Sequence, residues 1–550
     1  MVVYEAVDSP ALRKARGAFF TPPVLCEFVA EWAIRDEDDT VLEPSCGEAA
    51  FLVAAGRRLR DLGSEKPALS GAELHASSAR SARRHLAAED FHAHITTGDF
   101  FDIDPEPRYD AVIGNPPYVR YQDFAGASRA SSQRAALRAG IRLTQLASSW
   151  AAFTIHSALF VRPGGRLGLV IPAELLSVNY AAGVREYLME RFGRVRLVLF
   201  KERVFPNVQE EVVLLMAEGN GPCDHLEVHQ TDDANTLHAA GVRVSTWTPP
   251  TSSAKWTASL VPSSGLDAYE VLVDSPAFAK LSEWGETSLG AVTGNNRYFT
   301  LSPTEVQELG LVSGEVVRIS PPGSTHLRQL SLTRHDWEKL GAEGASTYLF
   351  RPGVEPSRAA KRYLARGLEG GVDQAYKCRV RKHWWRTPVL APPDLFITYM
   401  NAGFPQLASN PARLRHLNSV HGIYLREGLT HLGAELLPLA CLNSVTLLGA
   451  EAVGRAYGGG MLKLEPKEAD LLPVPSPDLV ERTKGELLAL LSPVAALLAN
   501  GSAREAVRLV DDVLLGEGRG TEDDAIRAIE AARDHMVGRR KARGRSSKGM

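Results

Sequence analysis

The sequence predicts an α/β fold: a doubly wound, mostly parallel sheet, then a mixed α+β region, then C-terminal helices. Short apolar runs alternate with helix-like stretches from about residue 20 to 220, and that alternation brings strands parallel with helices on both faces. The rhythm stops at "TPPTSS" and "PSSG", between Thr248 and Gly265, whose composition is that of a linker or exposed loop. Helical periodicity returns from Pro477, in "PDLVERTKGELLALLSPVAALLANGSAREAVRLVDDVLL".

In chain order the candidate strands are "TVLEP" (40–44), "ALSGAEL" (68–74), "HITTG" (94–98), "DAVIGN" (110–115), "RLGLVIP" (166–172), "VRLVLF" (195–200) and "EVVLLMA" (211–217). Between them "AAFLVAAGRRLRDLG", "ASSARSARRHLAAE" and "SWAAFTIHSALFVRPGG" have helical spacing. The second region is rich in Gly, Pro and aromatics and lacks a regular βα rhythm. The implied divisions are 1–245, 265–475, a helical segment 476–537 and a basic disordered tail 538–550.

Apolar content of 44% and charged content of 23% are those of an ordinary soluble protein. A net charge of −3 excludes a uniformly basic coat, but not a local basic face. Cys26, Cys46, Cys223, Cys378 and Cys441 are scattered with no zinc spacing, so reduced thiols, a cytoplasmic setting and no metal are expected. No run has the length of a membrane span, and the N-terminus lacks the apolar core of a signal peptide.

The chemistry starts at "VLEPSCGEAAFL", Val41 to Leu52, where a strand ends in Glu43 and a small-residue turn opens a helix. Such a turn can present backbone N–H groups to a polar ligand, or be a plain βα connection. Gly47 stands alone, so this is not a dinucleotide fingerprint. Glu73 closes the second strand, where a carboxylate suits two ribose hydroxyls. Asp99 and Phe100 close the third and suit a purine amine and a purine face; singly, each acid could be a cap. Together, three acidic strand ends face one crevice and fit an adenosine-bearing ligand that needs no phosphate cradle. The fourth strand runs into "GNPPY", Gly114 to Tyr118.

The ordered series "GAFFTPP" (17–23), "LEPSCGEAAFL" (42–52), "GAEL" (71–74), "GDFFD" (98–102) and "GNPPY" (114–118) resembles the γ-class DNA adenine-N6 methyltransferases of the Taq and Eco57I type. The resemblance continues at "VTGNNRYF" (292–299), "CRVRKHWWRTP" (378–388), "NSVHGIYL" (418–425) and "YGGGMLKLEPKEADLLPVP" (457–475). It implies a Rossmann-like, S-adenosylmethionine-dependent methyltransferase domain followed by a target-recognition domain that binds double-stranded DNA. It implies that Thr21, Glu43, Ser45, Cys46 and Gly47 attend the methionine end of S-adenosylmethionine, Glu73 its ribose, and Asp99 with Phe100 its adenine. Glu48-Ala49 stands where Asp-Gly or similar is usual.

By the same resemblance, Asn115 and the Pro116 carbonyl accept the hydrogens of an exocyclic amine, and Pro116 and Pro117 fix the backbone that carries them. Tyr118 stacks on a base flipped from the duplex, and Phe205 is the second ring. Arg379, Arg381, Lys382 and Arg386, interleaved with Tyr376, Trp384 and Trp385, suit a DNA face; alternatively, strand alternation buries the tryptophans and leaves the arginines solvated. The expected enzyme is a monomeric modification methyltransferase of a restriction-modification system, with any cognate endonuclease on a separate chain, since no room for a nuclease precedes residue 17. The alternatives are a protein glutamine-N5 methyltransferase, which also uses Asn-Pro-Pro-Tyr, and a catalytically inactive DNA-binding scaffold.

Overall fold

The computed structural model describes residues 21–120, 122–124, 126–200, 204–205, 211–238, 244–516 and 523–545. The chain divides into two compact units, Met1–Ser259 and Leu260–Met550.

The first unit is built on a nine-stranded sheet of strands β1 (Thr40–Glu43), β2 (Ala68–Glu73), β3 (Ala93–Thr97), β4 (Tyr109–Gly114), β5 (Val161–Pro172), β6 (Arg194–Phe200), β7 (Val212–Glu218), β8 (Leu226–Thr231) and β9 (Val244–Trp247). Their spatial order is β3-β2-β1-β4-β5-β7-β6-β8-β9. Neighbours from β3 to β5 are parallel, whereas β7 runs antiparallel to both β5 and β6, and β9 antiparallel to β8. The seven expected strands are therefore present, in a sheet more mixed than expected. Strands β8 and β9 were not anticipated. "LEVHQT" carries polar residues at alternate positions, and "VSTW" is short and mostly exposed near the sheet edge, so neither reads as an apolar run.

The chain reverses its winding between β1 and β4, which opens a crevice at their carboxyl ends. Helices α1 (Pro23–Ala33), α2 (Ala50–Leu62), α3 (Ala76–Ala88), α4 (Gly126–Arg138) and α5 (Ser149–Phe160) lie among these strands in the chain. Helix α2 buries Phe51, Leu52, Ala55 and Leu59, the stripe its spacing predicts. Its Gly56 is required by packing, because a Cβ there would stand 2.9 Å from the Phe91 ring. No α-helix links β3 to β4. Pro105 and Pro107 interrupt the connection, and a cavity of about 240 Å³ remains, floored by Leu42, Ala72, Phe100, Tyr109 and Phe160.

The expected linker is in part structured. Trp256 is fully buried and donates its backbone N–H to Leu176, and Ser263 opens a helix, Ser263–Val273, behind Pro262. Serine and proline there act as a helix start, which composition alone does not distinguish from a loop.

The second unit is mixed α+β. Its largest sheet orders Gly285–Leu289, Val420–Leu425, Leu395–Thr398 and Leu407–Ser409, all antiparallel. Helices Pro477–Arg482, Lys484–Ala499 and Ala503–Leu514 follow, as the periodicity predicts.

The described part of the basic end, residues 538–545, departs from the expected tail: it belongs to helix Asp523–Arg545, and Arg539 and Arg540 are buried. Arg540 forms a two-pronged ion pair with Glu451, Nη2 to Oε1 at 2.7 Å and Nε to Oε2 at 3.0 Å, and donates to the carbonyls of Gly403 and Gly460. A run of like charge resembled a solvated tail because the partner carboxylate is 89 residues away in sequence. Residues 546–550 lie outside the described residues.

Candidate active site

The carboxyl ends of β1, β2 and β3 are stitched together by backbone bonds. The Cys46 N–H donates to the Ala72 carbonyl at 2.9 Å, and the Gly98 N–H to the Glu73 carbonyl at 2.9 Å. The expected acidic residues are brought to one rim. Glu73 accepts the Gly47 N–H and the His75 N–H, each at 2.9 Å, one on each oxygen. A carboxylate has about four lone-pair positions, so both oxygens retain capacity for a diol. Glu43 is buried and accepts the Leu52 N–H at 3.1 Å. Burial pushes its carboxyl well above the usual range, the Leu52 bond opposes this, and the Glu73 charge adds to it.

Asp99 caps the turn Phe100–Asp102 by accepting from the Phe101 N–H at 3.0 Å, and its partial burial also raises its pKa. The Phe100 ring is buried, stacked on Phe153 with centroids 5.7 Å apart and planes at 14°. The neighbouring apolar group that does face outward is Leu74, 57% exposed directly after Glu73. Sequence reasoning had not singled it out; an apolar residue immediately after an acidic strand end was the available signal.

The turn between β1 and α2 holds two left-handed residues, Gly47 (φ +50°) and Ala49 (φ +70°). Alanine pays about 1–2 kcal/mol in that conformation, which a glycine would avoid. The Cys46 thiol is buried, and burial with the Glu43 and Glu73 charges pushes its pKa up, away from nucleophilic chemistry.

Asn115 follows β4 at the switch point. Its Nδ2 donates to Thr21 Oγ1 at 3.1 Å, which leaves Oδ1 as the opposite end. The Tyr118 hydroxyl lies 2.5 Å from that Oδ1 and 2.8 Å from the Val170 carbonyl, and its single proton can serve only one of them. Ser45 Oγ donates to the Asn115 carbonyl at 3.3 Å, tying the β1 turn to the β4 loop. Ser149, the first residue of α5, was missed by sequence reasoning. Its hydroxyl donates to the Pro117 carbonyl and accepts the Val119 N–H at 2.9 Å. Serine before an apolar helix reads as a cap, and nothing in the sequence says that it reaches back to residue 117. Phe205 is buried, but most of its loop lies outside the described residues, as do residues 17–20.

The candidate DNA face in the second unit is a short helix, Tyr376–Arg379, followed by turns rather than a strand. Arg379 and Lys382 are exposed. Arg381 is tied inward, Nη2 to the Val292 and Thr293 carbonyls at 2.5 and 2.9 Å. Trp384 and Trp385 pack on a core containing Phe299 and Phe350, and the half-buried Arg386 donates its N–H to His383.

Residues 6–239 match the N-6 DNA Methylase family, and residues 253–515 match the C-terminal domain of the Type II methyltransferase M.Eco57I. The chain belongs to the γ-class N6-adenine DNA methyltransferases of restriction-modification type. This methyltransferase is 26% identical over 484 residues to the Type II methyltransferase M.XamI of Xanthomonas campestris pv. amaranthicola, covering 84% of this chain and 85% of the relative. It is 21% identical over 515 residues to M.AccI of Acinetobacter calcoaceticus, covering 91% and 93%. Its fold is like that of the Type IIL restriction-modification enzyme MmeI, with a TM-score of 0.62 at 12% identity, over 96% of this methyltransferase and 80% of that chain. Among the described residues no single helix is long and apolar enough to cross a membrane.

Proposed function

We propose that this methyltransferase transfers the methyl group of S-adenosylmethionine to adenine N6 in double-stranded DNA, on a base flipped out of the duplex. The modification protects host DNA from a cognate endonuclease on a separate chain, and the enzyme acts as a monomer in the cytoplasm. The kinship to Type II methyltransferases supports the protective role, and five free cysteines suit a reducing compartment.

The crevice suits the cofactor chemically. Glu43 and Glu73 repel each other there, and a cationic ligand would relieve both that repulsion and the burial of Glu43. When bound, S-adenosylmethionine supplies an electrophilic methyl on a sulfonium. Thr21, Glu43 and the Ser45-Cys46-Gly47 turn would hold its methionine end, Glu73 its ribose hydroxyls, Asp99 its adenine amine and Leu74 its purine face.

The N6 lone pair of the target is delocalised into the ring, so the amine is a poor nucleophile. Asn115 Oδ1 and the Pro116 carbonyl would each accept one amine hydrogen, favouring a pyramidal nitrogen and exposing the lone pair. Asn115 Nδ2 donates to Thr21 Oγ1, and in that orientation Oδ1 is the accepting end. The two prolines and Ser149 hold the loop before the base arrives, so little reorganisation is left for the reaction. Once the new N–C bond forms, the nitrogen's proton is acidic and passes to water without a strong base. Tyr118 and Phe205 would flank the base with their rings.

The single observation behind this reading is Asn115 held at the switch point, with Nδ2 donating to Thr21 and Oδ1 as the accepting end beside the Tyr118 hydroxyl. The test is transfer of label from S-adenosylmethionine to mixed genomic DNA, followed by modified-base analysis. Label in N6-methyladenine is expected; label confined to N4-methylcytosine, RNA or protein would overturn the reading. A glutamine methyltransferase would leave the second unit, Leu260–Met550, without work.

A further inference from the structure

Residues 376–382 form a knuckle whose exposed and buried positions are sharply divided. Tyr376 is 66% exposed and Val380 63% exposed, one helical turn apart and so on one side. Lys377, Arg379 and Lys382 are exposed around them, and none forms an ion pair among the described residues. From Tyr376 to Leu390 the sequence has no acidic residue. Single exposed apolar side chains are ordinary, but an aromatic–aliphatic pair framed by three cations is a surface suited to a polyanion with apolar faces inside it. Duplex DNA has that chemistry: phosphates outside and stacked bases within.

The knuckle is also held stiff from behind. Cys378 is fully buried with its Sγ 3.6 Å from the Thr293 carbonyl. Arg381 donates to the Val292, Thr293 and Trp384 carbonyls. Gly294 (φ +90°) lets the 292–299 segment approach, since a Cβ there would meet Lys377 Cβ at 3.2 Å. A side chain that separates stacked bases must not yield first, and this backing prevents that.

We propose that Tyr376 and Val380 form a wedge that enters a base step of the bound duplex, with Lys377, Arg379 and Lys382 holding the flanking phosphates. This rests on the reading that the second unit carries the DNA. Apolar wedges that partly unstack a step are a known physical route to bent or opened DNA.

The test uses the full chain and a duplex containing its own methylated site, identified beforehand by sequencing methylated DNA. 2-Aminopurine is placed at each position in turn, and fluorescence is read at saturating protein. The wild type should raise fluorescence at one step other than the methylated adenine. Tyr376→Ala should abolish that rise and weaken binding by about 5- to 100-fold, while Tyr376→Phe keeps both. Arg379→Ala with Lys382→Ala should lower the salt slope of binding by about 2 and spare the rise at saturation. A folded Tyr376→Ala chain with unchanged signals at every position overturns the wedge. An unchanged salt slope in the double variant instead overturns the underlying DNA-face reading. If Tyr376→Ala unfolds, Val380→Ser carries the same expectations.

Discussion

Replacing Asn115 with alanine separates chemistry from folding. The side chain is half-buried and makes two bonds, to Thr21 at 3.1 Å and from Tyr118 at 2.5 Å. Neither partner is stranded by its removal. Tyr118 still reaches the Val170 carbonyl at 2.8 Å, and the half-buried Thr21 hydroxyl can turn to water. The stability cost is therefore about 1 kcal/mol. For a unit of this size that is a melting shift of about 2–4 °C. The rate is another matter, because one of two preorganised acceptors at the reacting nitrogen is gone. Loss of one such partner lowers kcat by about 10²–10³-fold. The assay is label transfer from S-adenosylmethionine to DNA at saturating substrates, with melting and cofactor titration alongside. A folded variant that binds cofactor and keeps more than about a tenth of wild-type kcat would refute the assigned role of Asn115.

Three other outcomes are expected. Glu73→Ala should weaken S-adenosylmethionine binding by about 10- to 100-fold through lost charge-assisted bonds, as read by calorimetry; an unchanged Kd would remove Glu73 from the site. Asp511 is buried and accepts from the Ser444 N–H and hydroxyl, and burial raises its pKa from 3.8 to about 7. The folded chain thus holds a proton that the unfolded chain releases between about pH 4 and pH 7, so this group's contribution falls as pH rises through that window and is flat above it. Melting curves across that range should show the corresponding slope in the wild type and its loss in Asp511→Asn; identical slopes would contradict the buried, protonated acid. Arg540→Met leaves Glu451 buried without its cation and should cost about 3–5 kcal/mol in urea unfolding, with most of it recovered by adding Glu451→Leu. No effect from the single change would mean the helix Asp523–Arg545 is not docked.

Much of the first unit is legible in sequence because β1, β4, β6 and β7 are largely buried and read as apolar runs. The acidic rim was legible for a related reason: Glu43 and Glu73 each end a strand, and Asp99 follows the short strand β3. What escaped depends on distance along the chain. Ser149 holds a loop thirty residues before it, and Arg540 pairs with Glu451 across 89 positions; neither partnership leaves a local pattern. Phe100 is instructive in another way. Its place beside Asp99 suggests a ring over a purine; in the fold three aromatic side chains from α5, Phe153, His156 and Phe160, pack against it. Apolar spacing in α5 announced a buried helix without saying what it would bury. In the second unit, Trp384 and Trp385 next to arginines did not settle which would face water, because tertiary packing on Phe299 decides it.

The order of the sheet has a consequence for motion. Strand β3 is one edge of the sheet, only Ile95 along it is buried, and no α-helix follows it to cover the cavity beside Leu42 and Ala72. Edge strands with little cover open at lower free energy than the strands within, so amide hydrogens there should exchange first. Asp99 hangs from that strand, and the Gly98 N–H that joins it to β2 is one of the bonds an opening would break. A ligand gripped by Asp99 and Glu73 together binds only the closed edge. It therefore raises the cost of opening by RT ln(1 + [L]/Kd), about 2.7 kcal/mol at a hundredfold excess over Kd. Hydrogen exchange at β3 would then report cofactor occupancy with no catalysis taking place.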